Sequence, residues 1–208
     1  MANTTGKKIK DAAIIGGCAS LIYLTIGDIS YRLSLSRGGL NSKLITDMVA
    51  KSAAKKPKNE YKEKLDSMID DGADWFMHQD TEKIIIEKKH RQSLYADLIR
   101  PDKPSNVYII CIHGYTSSPA NMGIYAKKYH ELGYNVLLPS LRGHGDSEQD
   151  FITMGWNDRL DVIEWINYIA ERHPESEIIL HGVSMGAATT MMATGEKLPE
   201  NVKAAIED

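Results

Sequence analysis

Cysteine is scarce in this sequence of 208 residues, with only two present. Cys18 lies in an apolar run near the N-terminus and Cys111 in a predicted buried strand, so neither is placed to form a disulfide or to bind zinc. We interpret both as buried, inert thiols. The sequence therefore indicates no disulfide framework and no cysteine-based metal centre.

An excess of positive charge is absent as well. The formal net charge is −3 at pH 7, and no block of lysine and arginine is interleaved with aromatic residues. Both observations argue against a nucleic-acid-binding surface. Hydrophobic residues make up 42% of the chain and charged residues 25%, which is ordinary for a globular domain. A chain of this length has room for one sizeable core and at most a small appendage.

A hydrophobic run long enough to span a membrane comfortably is missing too. The candidate run, residues 12–26, has about 15 residues where roughly 20 are needed. It extends to residues 12–29 only if Asp28 lies near the membrane interface. Lysines at positions 7, 8 and 10 precede it, and basic residues before an apolar stretch are typical of a secretory signal or a signal anchor.

We therefore predict that residues 1–30 are a segment resembling an uncleaved signal anchor, with a cleaved signal and a buried amphipathic helix as alternatives. An anchor would attach the protein to a membrane through residues 12–29 and leave the rest of the chain extracytoplasmic. A cleaved signal would make the protein secreted. If the N-terminal helix only packs on the core, a cytoplasmic location is expected.

Residues 31–80 are predicted to be a helical lead-in to the main domain. Apolar residues recur at helical spacing within residues 40–49 and again within residues 59–78. Such helices can pack on the outside of a core or line an approach to it. Packing alone is the interpretation we favour.

From residue 81 the pattern changes to strands that alternate with helices. A hairpin is expected over residues 82–100, followed by strands at 107–112, 134–139, 177–182 and 202–206 with helices between them. This alternation predicts an α/β fold, in which right-handed βαβ units form a mostly parallel sheet flanked by helices. In such sheets, functional groups collect beyond the carboxyl ends of the strands.

Residues 178–190 predict a strand, a sharp turn and a helix. Within them, Gly182-Val183-Ser184-Met185-Gly186 matches the G-x-S-x-G nucleophile elbow, in which a serine lies at the apex of a strained turn. Glycine is needed on both sides, because a Cβ there would collide with the neighbouring strand or helix. The turn also directs the first N–H groups of the helix toward the serine oxygen. Ser184 is thus the candidate nucleophile, and a helix-capping serine is the alternative.

Three motifs together resemble the α/β-hydrolase superfamily, and most of all its serine-aminopeptidase and monoglyceride-lipase-like branch. His113-Gly114-Tyr115 is similar to the oxyanion loop of that family, residues 141–147 (Leu-Arg-Gly-His-Gly-Asp-Ser) to its glycine-rich loop, and residues 182–186 to its nucleophile elbow. The resemblance covers residues 81–208. It implies that these residues are the N-terminal part of an α/β-hydrolase domain whose sheet is incomplete at the C-terminus.

The resemblance also implies a serine hydrolase that cleaves carboxylic esters or amides through an acyl-enzyme on Ser184. The backbone N–H groups of Tyr115 and Met185 would form the oxyanion hole, which stabilises negative charge on the former carbonyl oxygen. The expected partner is a small-molecule ester, lipid or peptide substrate. No cofactor and no metal are implied.

Three histidines, His113, His144 and His181, lie at or just after predicted strand ends. A metal cluster is disfavoured, because no carboxylate accompanies them at ligand spacing. We expect His113 and His181 to be hydrogen-bonded side chains beneath the site, and His144 to hold its own loop in shape. Asp146 is expected to cap or brace that same loop, and it is not the candidate catalytic acid.

The groups that activate a serine are missing after Ser184. A histidine must take the hydroxyl proton and a carboxylate must orient that histidine, and in this superfamily both follow the serine. No histidine follows Ser184, and the later acids are Glu196, Glu200, Glu207 and Asp208. We therefore expect a C-terminally truncated hydrolase with little activity of its own. The alternatives are a non-catalytic, membrane-tethered binding protein of the same fold and an acyltransferase that uses the same serine.

Overall fold

A computed structural model of the chain describes residues 20–40, 47, 51–52, 60–87 and 92–208. Residues 20–35 form an exposed helix, α1, which is followed by the short helix Arg37–Leu40 (α2), and Glu60–Met77 forms α3. The first part of the predicted anchor, residues 12–19, lies outside the described residues. Within the described ranges, no helix is both long enough and apolar enough to cross a membrane. The anchor stays a prediction.

The described part of the chain contains one mixed sheet of six strands. The strands are β1 (Glu82–Ile86), β2 (Leu94–Ile99), β3 (Val107–Ile112), β4 (Asn135–Pro139), β5 (Glu177–Gly182) and β6 (Val202–Glu207), in the order β1-β2-β4-β3-β5-β6. β1 pairs with β2 and β2 with β4 in antiparallel fashion, whereas β3, β4, β5 and β6 are parallel. The predicted α/β class with a mostly parallel sheet is confirmed.

Helices cover both faces of the sheet. They are α4 (Gly123–Glu131), α5 (Asp158–Arg172) and α6 (Met185–Thr194), and a 3₁₀ turn at Pro119–Met122 precedes α4. The central strand β3 is apolar throughout because it is covered on both sides, with residues 109–112 fully buried. One core contains Trp165 and Ile166 of α5, and the other contains Phe76 of α3 with Ala126 of α4.

Two glycines allow α3 and α4 to touch through their backbones. A Cβ at Gly72 would lie 2.3 Å from the backbone nitrogen of Ile124, and a Cβ at Gly123 would lie 2.0 Å from the carbonyl oxygen of Gly72. Real atoms do not approach this closely, so only glycine fits at either position. Because Phe76 of the same helix is buried in the core, α3 is held against α4 by both contacts.

We predict that Gly72→Ala will lower the free energy of unfolding by about 1–3 kcal/mol, because the added Cβ must push α3 and α4 apart. Gly27→Ala is the matched control, since Gly27 is also helical and a Cβ there would meet nothing within 4 Å. That control should be neutral or stabilising by up to ~1 kcal/mol through the higher helix propensity of alanine. Urea unfolding of both variants measures the difference, and equal stabilities would contradict the close helix contact.

Candidate active site

Ser184 lies at the apex of the turn between β5 and α6. Its φ of 56° and ψ of −113° are rare for a residue with a side chain. A Cβ at Gly182 would lie 2.2 Å from the carbonyl oxygen of Gly186, and a Cβ at Gly186 would lie 2.0 Å from that of Ile112. The two glycines therefore let β5, α6 and the end of β3 meet backbone to backbone. Ser184 itself is exposed and precedes the first residue of α6.

The loop that follows β3, residues 113–118, lies against this turn. A Cβ at Gly114 would lie 3.3 Å from Cβ and 3.8 Å from Oγ of Ser184. Among the backbone hydrogen bonds of the described residues, none has the N–H of Tyr115 or of Met185 as its donor. These two amides are therefore available to a group that binds beside Ser184.

A cavity of about 490 Å³ opens at Ser184. Its walls come from α3, the β3 loop, the start of α4, the turn at Ser184 and the residue after β6; the lining residues are Tyr61, Leu65, Ile69, Gly114, Tyr115, Ser117, Asn121, Met122, Ile124, Tyr125, Val183, Ser184 and Asp208. The hydroxyl of Tyr125 donates to Oδ2 of Asp208 at 2.7 Å. Burial, and then this bond to a carboxylate, raise the pKa of Tyr125 to about 12.

His113 lies beneath the loops and not in the cavity. Its Nδ1 donates to the carbonyl oxygen of Gly114 at 2.9 Å, and its Nε2 accepts from the backbone N–H of Leu141 at 3.2 Å. An Nε2 that accepts carries no proton, so the ring is neutral. Burial accordingly lowers the pKa of His113 to about 4. The expectation of a hydrogen-bonded side chain beneath the site is confirmed.

His144 joins the glycine-rich loop to the β3 loop. Its Nδ1 lies 2.9 Å from the carbonyl oxygen of Arg142 within its own loop, as expected. Its Nε2 also accepts from the backbone N–H of Thr116 at 3.2 Å, and Thr116 has a φ of 57°. Burial lowers the pKa of His144 and favours the neutral ring that this pair of bonds requires. The second contact was not predicted, because nothing local to His144 indicates it.

The prediction that His181 is hydrogen-bonded is correct for one ring nitrogen and wrong for the other. Nδ1 lies 2.9 Å from the hydroxyl of Tyr129, but Nε2 is buried without a partner among the described residues. The ring packs edge-on against Tyr125, with 4.5 Å between ring centroids. This aromatic surrounding excludes water and lowers the pKa of His181 by desolvation.

Two buried carboxylates that sequence reasoning missed hold the glycine-rich loop. Asp158 accepts from the backbone N–H of Arg142 at 3.0 Å, from Oγ1 of Thr153 at 2.6 Å and from the N–H of Gly155 at 2.9 Å. Asp161 forms a two-point ion pair with the Arg142 guanidinium at 2.6 and 2.9 Å. Their one sequence signal is a position in the first turn of α5, where acids are common because they complement the helix dipole.

Asp146 does not brace the glycine-rich loop with its side chain, contrary to expectation. Its carboxylate pairs instead with Nζ of Lys83 on β1 at 2.8 Å, and both side chains are more than half exposed. Only the backbone N–H of Asp146 contributes to the loop, by donating to Oγ of Ser140 at 3.2 Å. The loop therefore depends on the buried acids of α5 and not on its own aspartate.

The end of α1 contacts the β3 loop, and the start of α2 contacts the glycine-rich loop. The hydroxyl of Tyr115 donates to the carbonyl oxygen of Ser34. The guanidinium of Arg37 donates to the carbonyl oxygen of His144 at 3.3 Å and to that of Ser147. The first of these bonds ties the N-terminal segment to Tyr115, the residue proposed from the sequence for the oxyanion hole, and the other two tie it to the glycine-rich loop. Their partners are more than 80 residues apart, so no local pattern predicts them.

Comparisons with known proteins agree with this architecture. Residues 103–207, half of the chain, match the family model "Serine aminopeptidase, S33". A thermostable monoacylglycerol lipase from a Bacillus species is 33% identical over 86 residues, which are 41% of this chain and 34% of that protein. The uncharacterized protein YqkD of Bacillus subtilis is 28% identical over 121 residues, 58% of this chain and 39% of that protein. This chain thus spans between a third and two fifths of the length of these curated relatives.

Among solved structures, an esterase of Pyrococcus furiosus shares the fold. It superimposes with a TM-score of 0.55 at 26% sequence identity, over 63% of this chain and 50% of the esterase. The shared part is the helix-flanked mixed sheet described above. The comparison therefore supports the α/β fold described above.

We predict that His113 makes the folded state less stable as the pH falls from 6.5 toward 4. Its folded-state pKa is about 4 against an ordinary 6.5, so in this range the unfolded chain binds a proton that the folded chain does not. The stabilisation is complete above pH 6.5 and is lost on acidification, with a loss of roughly 3 kcal/mol by pH 4.

Urea unfolding between pH 7 and pH 4.5 measures this slope, and NMR titration of the His113 ring measures the pKa directly. His113→Gln should be less stable at pH 7 and should show a flatter pH dependence, because the titrating group is gone. An unchanged slope in that variant, or a His113 pKa near 6.5, would contradict the neutral buried ring.

Proposed function

The chain belongs to the serine aminopeptidase S33 family of α/β-hydrolases, and from this premise we propose that the protein is a serine hydrolase that cleaves carboxylic esters. Esters are favoured over amides because the named relatives are a monoacylglycerol lipase and an esterase. The observation that carries the proposal is the strained, exposed position of Ser184 beside two available amides and a cavity. A serine that only capped a helix would not require positive φ or the two flanking backbone contacts.

In the proposed reaction, Oγ of Ser184 attacks the ester carbonyl carbon. The hydroxyl proton passes to a general base as the new C–O bond forms, and the alcohol then leaves with a proton as the old C–O bond breaks. Water attacks the resulting acyl-enzyme, releases the acid and restores the serine. Both attacks place negative charge on the former carbonyl oxygen.

The N–H groups of Tyr115 and Met185 would stabilise that negative charge. The amide of Met185 is the first of α6, so it also lies at the positive end of the helix dipole. Tyr115 belongs to the β3 loop, which is held by the bond from the Thr116 N–H to His144 and by the bond from the Tyr115 hydroxyl to Ser34. A fixed donor of this kind contributes about 3 kcal/mol to lowering the barrier.

The general base is the one element that the cavity does not supply. Within the described residues, none of the lining side chains is a histidine. His113 and His144 use both ring nitrogens in structural bonds, and no histidine follows Ser184 in the sequence. We infer that fast turnover needs a histidine other than His113 and His144 and other than the residues that line the described cavity.

The test is covalent labelling of the full-length product of the gene that encodes these residues. A fluorophosphonate should label Ser184, and Ser184→Ala should abolish the label. Ser117→Ala is the matched control, because Ser117 also lines the cavity but lies off the turn; it should keep the label. No labelling of the full-length protein would refute the hydrolase and favour a non-catalytic binding protein. A label that persists in Ser184→Ala would show that another residue, and not Ser184, reacts with the fluorophosphonate.

A second measurement addresses the missing base. Hydrolysis of p-nitrophenyl butyrate by the 208-residue chain should be no more than about tenfold faster than by its Ser184→Ala variant, because loss of the triad histidine alone costs about a thousandfold or more. A rate about a thousandfold above that of Ser184→Ala would show that a general base is already present among these residues.

A further inference from the structure

One wall of the cavity at Ser184 comes from the first half of α3. Tyr61, Leu65 and Ile69 are spaced four residues apart, so they lie on one face of this helix, and all three line the cavity together with Ser184. We call these three residues the α3 wall. Sequence reasoning favoured a packing role alone for this helix, and the structure shows that it also faces the site.

The α3 wall is positioned by the other half of the same helix. Gly72 contacts the backbone of α4 directly, and Phe76 is buried in the core. The first half extends beyond these contacts, and there the exposed fractions are 75% for Tyr61 and 38% for Leu65. Burial in the core therefore does not account for the apolar character of this face, whereas contact with a molecule in the cavity would.

The rest of the cavity restricts the charge of that molecule. Met122, Ile124 and Val183 add apolar surface to the lining. The one charged side chain among the lining residues is Asp208, and neither lysine nor arginine lines the described cavity. A carboxylate or phosphate on the ligand would meet the negative charge of Asp208 without a compensating cation, so an anionic ligand is disfavoured.

We propose that the α3 wall binds the apolar chain of an uncharged ester whose carbonyl group reacts at Ser184. The volume of about 490 Å³ lies in the range of small-molecule sites. The reaction of the ester at Ser184 rests on the proposed function, but binding of its apolar chain to the α3 wall requires no reaction. Leu65 and Ile69 are then specificity-determining residues that set how long a chain is accepted.

The test measures equilibrium binding, so that it does not depend on catalysis. Glycerol mono-alkyl ethers from butyl to decyl cannot be hydrolysed, and calorimetry with the full-length Ser184→Ala variant gives their dissociation constants. Affinity should rise about fourfold for each added methylene until the cavity is filled. An affinity that does not depend on chain length would overturn the proposal.

Substitutions on α3 test whether the apolar chain of the ligand binds to this helix. In the Ser184→Ala background, Leu65→Ala should weaken binding of the decyl ether about tenfold and leave the butyl ether nearly unchanged. Leu65→Trp should narrow the cavity, so the ether that binds most tightly should have a shorter alkyl chain. Met68→Ala is the matched control, because Met68 is an exposed residue of the same helix that does not line the cavity; it should bind like the parent. Circular dichroism confirms that each variant is folded.

The outcomes separate this inference from the proposed hydrolase. Equal effects of Leu65→Ala and Met68→Ala would overturn the α3 wall even if Ser184 is labelled by fluorophosphonate. Chain-length-dependent binding that Leu65→Ala abolishes would support it even if Ser184 is not labelled. Tighter binding of decylamine than of the decyl ether would show that Asp208 selects a cation, and would overturn the assignment of an uncharged ligand.

Discussion

Backbone contact between the turn at Ser184 and the end of β3 is the constraint on which the rest of the site depends. Gly186 lies so close to the carbonyl group of Ile112 that no Cβ fits between them, and Gly182 lies as close to Gly186. This packing forces the chain to turn within a single residue, so Ser184 takes up positive φ. The same packing brings the loop after β3 against the serine, where a Cβ at Gly114 would lie 3.3 Å from Cβ of Ser184.

The two loops at the site are held by four buried side chains, those of His113, His144, Asp158 and Asp161. His113 and His144 are buried and neutral, and each joins two segments by donating through one nitrogen and accepting through the other. Asp158 and Asp161 hold the glycine-rich loop from below. A charged histidine in either place would lose its accepting nitrogen, so we interpret His113 and His144 as braces and not as proton carriers.

Local sequence patterns were sufficient for the sheet and the turn. The apolar run of β3 and the glycine spacing around Ser184 are both local features. Each could therefore be predicted from a few neighbouring residues. The role of α3 was not predicted, because the close approach of Gly72 to Gly123 joins positions that are 51 residues apart. An isolated glycine in a helix also gives no distinctive sequence pattern. The unpartnered Nε2 of His181 was missed for a similar reason, since it depends on which side chains from α4 surround the ring.

We propose that the turn presents the Ser184 hydroxyl to two backbone amides arranged for a developing negative charge. A crystal structure of the full-length protein with a phosphonate bound covalently to Ser184 tests it directly, because the phosphonyl oxygen stands in for the oxyanion. We expect this oxygen to lie about 2.7–3.1 Å from the backbone nitrogens of both Tyr115 and Met185. A phosphonyl oxygen that points to solvent, or that is bound by other donors, would contradict it.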